Sequence, residues 1–133
     1  VFYLGEFLEA FFRNEKDIEV DNAPTPRKYH VAGKTLLCFT HGDRMKLNDL
    51  THIAQVEMRD MWGKTKFCEW HLGHLHRESA IESGGVVARV IPSLSPPDSW
   101  HSNSGYVTSN PAAQAFLYDP ESGLECIYYH RVR

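Results

Sequence analysis

The spacing of apolar residues predicts two helices. Apolar side chains recur at positions 1, 2, 4, 7, 8, 11 and 12 of the opening stretch VFYLGEFLEAFFRN, close to the period of an α-helix, and Asn14 is the expected terminator. The stretch 48–62, NDLTHIAQVEMRDMW, places its apolar residues on one face. Asn48 suits the N-cap of this second helix and Gly63 its C-cap.

The remaining apolar segments predict strands. DIEV (17–20) is a short strand candidate, and KYHVAGKTLLCF (28–39) is a hairpin turning at Gly33. TLLCF (35–39) and KFCEW (66–70) are nearly continuous apolar runs, which is typical of strands buried on both faces. Two more hairpins are predicted, at 79–93 with a turn at Gly84-Gly85, and from AAQAFLYD to LECIYYHRV around Pro120–Gly123. We therefore expect a mostly β chain of the α/β class with about two helices, forming a single domain over residues 1–133.

Composition narrows the classes of function. The net charge is −3 and no Lys/Arg block stands out, so the charge distribution does not indicate electrostatic binding to nucleic acid or to an acidic membrane. Cys38, Cys68 and Cys126 are widely spaced without a Cys-x-x-Cys pair, which is typical of a reduced, cytoplasmic chain. No apolar run approaches the length of a membrane span, so no membrane partner is expected.

A histidine cluster is the clearest chemical signal. EWHLGHLHRE (69–78) carries His71, His74 and His76 beside Gly73, and His41 directly follows the TLLCFT segment. The two strands flank one predicted helix, and the carboxyl ends of parallel strands joined in this way lie side by side. We therefore expect His41 to meet the His74/His76 pair. On extended backbone those two would project to the same side, with Gly73 permitting a bend and close backbone approach.

FTHGD followed by LGHLH resembles the fourth and fifth sequence blocks of the calcineurin-like metallophosphoesterases. Phage-encoded and DNA-repair-exonuclease-like members are the most similar, and the segment 92–107, PSLSPPDSWHSNSGYV, resembles their downstream loop. The resemblance implies a two-sheet α/β sandwich around two divalent metal ions. It implies that His41 and His74 bind one ion and His76 the other. The expected ions are manganese first, with Fe, Zn or Ni as alternatives, since imidazole ligands suit these metals better than calcium.

Other residues near these blocks have weaker predicted roles. Asp43 either orients His41 through the ring N–H or caps the next turn. His71 is expected beside the metal ligands or at the surface. Trp100 and His101 lie in a loop that either borders the site or serves packing.

The sequence departs from the family in its first half. The Asp-x-His, Gly-Asp-x-x-Asp and Gly-Asn-His-Asp blocks are absent. The only Gly-Asp pair is Gly42-Asp43, and Lys46 occupies the position where the second block has its second aspartate. We therefore expect a fragment, the C-terminal half of a longer metallophosphoesterase domain. Its partners would be the missing N-terminal half and a phosphate-ester or nucleic-acid substrate. A dimer through exposed apolar surface is a further expectation. In the longer metallophosphoesterase, two metal ions would activate a hydroxide that hydrolyses phosphodiesters. This chain alone would be inactive.

Two other classes of function compete with this hypothesis. The chain could be a catalytically silent interaction or assembly module of the same fold. It could also be a cupin-like single-metal β-barrel, whose His-x-His is followed by a glutamate. Glu78 and Glu82 stand at the wrong distance from His76 for that pattern, and the helix at 48–62 would interrupt a barrel.

Overall fold

A computed structural model describes residues 2–75, 78–94 and 111–131, and these form a mixed α/β fold made mainly of strands, as predicted. The chain begins with helix α1 (Phe2–Phe11) and strands β1 (Arg27–Ala32) and β2 (Thr35–Thr40). A 3₁₀ turn (Leu47–Asp49), helices α2 (Leu50–Glu57) and α3 (Arg59–Trp62) and strand β3 (Phe67–Leu72) follow. The described chain continues with β4 (Ser79–Ser83), β5 (Val86–Val90), β6 (Ala112–Asp119) and β7 (Gly123–Arg131).

The strands form two sheets. The larger has the order β1-β2-β3-β5-β4, with β2, β3 and β5 parallel and the two outer strands antiparallel to their neighbours. The smaller is the antiparallel pair β6-β7. Because α2 and α3 connect β2 to the parallel β3, the two strands end side by side, with Thr40 opposite Leu72. The predicted strand–helix–strand unit is confirmed.

The core lies between the large sheet and α2. The alternate β3 residues Cys68 and Trp70 are buried together with Leu36 and Cys38 of β2. Leu50 and Ala54 of α2 pack on these side chains. The Trp70 indole N–H donates to the Leu50 carbonyl over 3.1 Å, so the largest fully buried side chain also satisfies its polar atom.

Three local predictions were wrong. Residues 17–20 form no strand; Ile18 is 45% exposed, so this short apolar segment has nothing to pair with or bury against. The helix predicted over 48–62 is interrupted at Met58 (φ −115°, ψ 37°), which gives three α-helices in the described chain. Asn48 is not the N-cap. The chain enters α2 through the 3₁₀ turn, which leaves Asp49 at the cap position without a side-chain cap bond.

The largest concentration of exposed apolar side chains is on α1. Tyr3, Leu4, Phe7 and Phe11 are each at least 60% exposed. This group lies on a helix, whereas most residues of β2 and β3 are buried within the chain. Among the described residues, no helix is long and apolar enough to cross a membrane.

Replacing a core side chain of β2 tests this packing. Leu36→Ala removes a side chain with no exposed surface, and we expect a loss of about 2–5 kcal/mol in the free energy of unfolding. Val56→Ala, at a half-exposed position of α2, is the matched control and should stay within about 0.5 kcal/mol of the parent. Urea denaturation of both variants measures the difference. Equal effects at the two positions would contradict the assigned core.

Candidate functional site

His41 and His74 meet at the carboxyl ends of β2 and β3. His41 directly follows β2, and His74 lies in the turn after β3. The His41 carbonyl accepts hydrogen bonds from the backbone N–H groups of Gly73 (3.2 Å) and His74 (2.9 Å), which join the two loops. The imidazole rings lie 5.1 Å apart between centroids at 70° to each other, and both side chains are exposed. Their predicted convergence is thus seen in the structure, while their role as metal ligands stays a prediction.

Gly42 makes the bend that brings these loops together. It has φ +92°, and a Cβ atom there would lie 2.9 Å from Leu72 Cδ2. Gly73, to which we had assigned this bend, is not in the left-handed region, and a Cβ there would meet only His41 Nδ1, at 4.0 Å. The glycine of THGD, rather than that of LGHLH, is therefore the one the local geometry requires.

His41 stands between three hollows. One of about 240 Å³ is lined by His41, Asp43, His74 and neighbouring apolar side chains. A second of about 480 Å³ is lined by His41, Arg27 and Arg44. The third, about 830 Å³, is lined by His41, His71 and Ser93 among others. His41 is therefore the residue that all three share.

The remaining predicted residues are dispersed. The Asp43 carboxylate lies 3.5 Å from Arg44 Nε, and no hydrogen bond joins it to His41 in the described chain. His74 lies in a turn rather than on extended backbone. The prediction that the His74 and His76 side chains project to the same side assumed extended backbone, so it does not apply. His76, Trp100 and His101 fall outside the described residues.

The described residues fit part of a metal site. The two imidazoles are the nitrogen ligands that Mn, Fe, Zn or Ni accept, and Asp43 borders the same hollow. Across residues 2–75, 78–94 and 111–131, however, no three His, Cys, Asp or Glu side chains are grouped closely enough to hold a metal ion. Two imidazoles and one nearby carboxylate therefore do not make a complete ligand set among the described residues.

The structure excludes one of the two positions predicted for His71, that at the surface. Strand β3 extends through Leu72, so His71 is part of the sheet and only 7% exposed. Its Nε2 lies 3.1 Å from Glu69 Oε1 and 3.0 Å from the Tyr118 hydroxyl. The ring contacts Phe39 and Phe116 edge-on. The expectation of a surface residue was wrong, because the smaller sheet covers this face of β3.

A buried ionic network surrounds His71. Arg89 Nε donates to the same Glu69 oxygen over 2.6 Å, and Glu69 is itself buried. Burial alone would raise the pKa of Glu69, but hydrogen bonds from His71 and Arg89 outweigh burial and hold the pKa below its usual value. Burial and the neighbouring carboxylate raise the pKa of Tyr118, whose hydroxyl stays protonated. The sequence does carry a signal for this network, since Glu69 and His71 alternate with the apolar residues of β3 and so share one face.

Three solved structures resemble this chain at low identity. A conserved uncharacterized protein from Streptococcus pneumoniae, described as a predicted phosphoesterase, is 13% identical. That match covers 98% of this chain and 91% of the other with a TM-score of 0.39. A single and a double mutant of Vps29 from Entamoeba histolytica are each 15% identical, with 88% of this chain and 64% of theirs covered and TM-scores of 0.45 and 0.44. No protein-family model matches the chain, and no curated protein matches it either. At these identities and TM-scores below 0.5, any function has to be argued from the site itself.

Two glycine substitutions test the geometry around His41. Gly42→Ala should lower the free energy of unfolding by about 1–3 kcal/mol, because it forces a left-handed backbone on alanine and crowds Leu72. Gly73→Ala, in the neighbouring loop, should lower the free energy of unfolding much less, because its Cβ would make only a van der Waals contact of 4.0 Å with His41 Nδ1. Denaturant unfolding of both variants decides the matter. A larger loss at Gly73 would reverse the roles assigned here.

The Glu69 network predicts a pH-dependent contribution to stability. The folded-state pKa of Glu69 lies below the ordinary 4.5, so its contribution is present above that pH and is lost as the pH falls through the folded-state pKa. Glu69→Gln should cost about 3 kcal/mol at pH 7, because Arg89 loses its buried counter-ion. The difference from the parent should narrow below pH 4.5. Urea unfolding across this range measures it, with the exposed Glu125→Gln as control. A gap that does not change with pH would argue against the ion pair.

Proposed function

We propose that the chain contributes the histidine half of a metal-dependent phosphoesterase site. The observation that carries the proposal is the convergence of His41 and His74 at adjacent strand ends, fixed by the hydrogen bonds to the His41 carbonyl. His41 and His74 would hold one divalent ion, manganese above all, and His76 would serve a second. The resemblance of THGD and GHLH to metallophosphoesterase blocks supports this assignment.

The bound ions would polarise the phosphoryl group and lower the pKa of a metal-held water. The chain's own residues would orient the imidazoles, and the main chain of residues 41–42 and 73–74 would keep them apart at a fixed distance. Arg44, whose side chain is 91% exposed, lines a hollow with His41 and can contact an anionic phosphate oxygen there. These features suit a phosphate ester, and a phosphodiester such as a nucleic-acid backbone is the substrate class of the proposal.

Metal binding by the chain alone should be weak. Two or three neutral imidazoles bring no negative charge to balance two dications, and no carboxylate bridges them within the described site. A loosely held reacting group loses on the order of a hundredfold in rate for each ångström of misplacement. We therefore expect little hydrolysis without the carboxylate blocks that metallophosphoesterases carry.

A second candidate is a catalytically silent interaction module. Its support is the absence of a three-ligand metal group among the described residues, together with the exposed aromatic side chains of α1. Such a chain would bind metal no better than a surface histidine pair does, and loss of His41 or His74 would not affect its function.

Manganese titration separates the two candidates. Calorimetric titration of the chain should show weak binding that falls at least tenfold in His41→Ala and in His74→Ala, since each removes a ligand. His52→Ala, at an exposed position of α2, is the matched control and should bind as the parent does. Hydrolysis of bis(4-nitrophenyl) phosphate and of single-stranded DNA should be marginal for this chain. With the carboxylate blocks supplied, it should become manganese-dependent.

Either of two results would contradict the phosphoesterase proposal. One is metal binding that does not change in His41→Ala and His74→Ala. The other is a protein that carries all the carboxylate blocks yet stays inactive across metals and phosphate esters. Robust turnover by the 133-residue chain alone would instead contradict the account of the missing ligands.

A further inference from the structure

His71 lines the cavity of about 830 Å³ that also borders His41. Nε2 is held by Glu69 and Tyr118, while Nδ1 has no hydrogen-bond partner in the described part of the chain. Nδ1 is therefore the ring nitrogen left to contact a ligand in this cavity, although the residue is only 7% exposed.

The Glu69 network fixes the tautomer of the His71 imidazole. Glu69 is ionised, so it accepts from both Arg89 Nε–H and His71. An ionised carboxylate is an acceptor only, so the proton must sit on Nε2, and Nδ1 of the neutral ring is left as a bare acceptor. The contacts of Phe39 and Phe116 with the ring hold it in this orientation. A carboxylate–histidine pair of this kind is a common arrangement for proton transfer.

The cavity suits an organic group rather than a bare anion. Its wall is mostly apolar, with Pro24, Pro26, Phe39, Ile91 and Pro92 among the lining residues. The lysine in the wall is already engaged, because Lys28 Nζ lies 2.5 Å from Asp21 and 2.7 Å from the Ala23 carbonyl. A concave, largely apolar space of this volume with a few convergent polar groups is typical of a small-molecule site.

We propose that this cavity receives the leaving group of a phosphate ester, an apolar ring bearing the ester oxygen, and that His71 is the group that exchanges a proton with that oxygen. The phosphate-ester part of this statement rests on the proposed function. His41, which borders both this cavity and the hollow that contains His74, marks where the phosphoryl group would lie.

The proton-transfer step balances without any further reactant. The oxygen of a water molecule bonds to phosphorus, and the bond between phosphorus and the leaving oxygen breaks with its electron pair staying on that oxygen. The leaving oxygen takes the proton from Nδ1 of the protonated ring and departs as a neutral alcohol. The attacking water loses its proton to solvent, and His71 recovers one from solvent.

Two isosteric variants separate this role from a structural one. The glutamine amide reaches the position of Nε2, so His71→Gln keeps the bonds to Glu69 and Tyr118 and removes the group facing the cavity. The asparagine amide reaches the position of Nδ1, so His71→Asn keeps a polar group at the cavity and loses the bonds to the network. His130→Gln, at an exposed position of β7, is the matched control.

The test uses 4-nitrophenol, inorganic phosphate and bis(4-nitrophenyl) phosphate without metal. Two-bond ¹H–¹⁵N spectra of the labelled chain should show His71 with the proton on Nε2, and 4-nitrophenol should shift the Nδ1 resonance while inorganic phosphate does not. His71→Gln should melt as the parent does yet bind 4-nitrophenol about tenfold more weakly. His71→Asn should melt at a lower temperature and keep more of the binding.

The outcomes distinguish this inference from the proposed function. A neutral His71 ring with its proton on Nδ1 instead of Nε2, or 4-nitrophenol binding that does not change in His71→Gln, overturns the role of His71 even if His41 and His74 bind manganese. If 4-nitrophenol binds through His71 but His41→Ala leaves manganese binding intact, the cavity assignment stands and the phosphoesterase proposal fails. If bis(4-nitrophenyl) phosphate, like inorganic phosphate, leaves the Nδ1 resonance unchanged, the ester leaving-group assignment is wrong.

Discussion

The parallel pairing of β2 with β3 is the constraint on which the rest of this structure depends. It requires a crossover, which α2 and α3 supply, and it brings two carboxyl strand ends to one edge of the sheet. The hydrogen bonds from Gly73 and His74 to the His41 carbonyl extend this pairing past the last residues of both strands. The two imidazoles are therefore neighbours because the backbone of one loop is bonded to the backbone of the other.

The two faces of β3 have different chemistry. Cys68, Trp70 and Leu72 face the helices in an apolar core, while Glu69 and His71 face the smaller sheet. An ion pair on this second face is tolerable only because its members satisfy one another, as Arg89 and His71 do around Glu69. One face of β3 thus stabilises the fold, and the other carries the candidate functional group His71 near the end of the strand.

The errors in the sequence interpretation share one physical origin. The helix predicted over 48–62 has the right apolar spacing, but the chain breaks at Met58, whose N–H still bonds to Ala54 while its backbone leaves the helical region. His71 looked like part of a loop cluster because it stands three residues from His74. Local spacing cannot tell whether a strand continues through such a residue, because the pairing partners Phe39 and Arg89 come from elsewhere in the chain.

By itself the sequence determined the mostly β composition, all three hairpins, the buried character of β2 and β3, and the expectation that His41 and His74 converge. These follow from period, turn chemistry and the connection of parallel strands, which are local properties or topological rules. Only the tertiary structure decided which glycine makes the bend at His41, that His71 is buried in an ionic network, and that the most exposed group of apolar residues lies on α1. Each of these depends on which distant surface lies against the residue: Leu72 against Gly42, Tyr118 against His71, and no close packing over the aromatic side chains of α1 within the described chain.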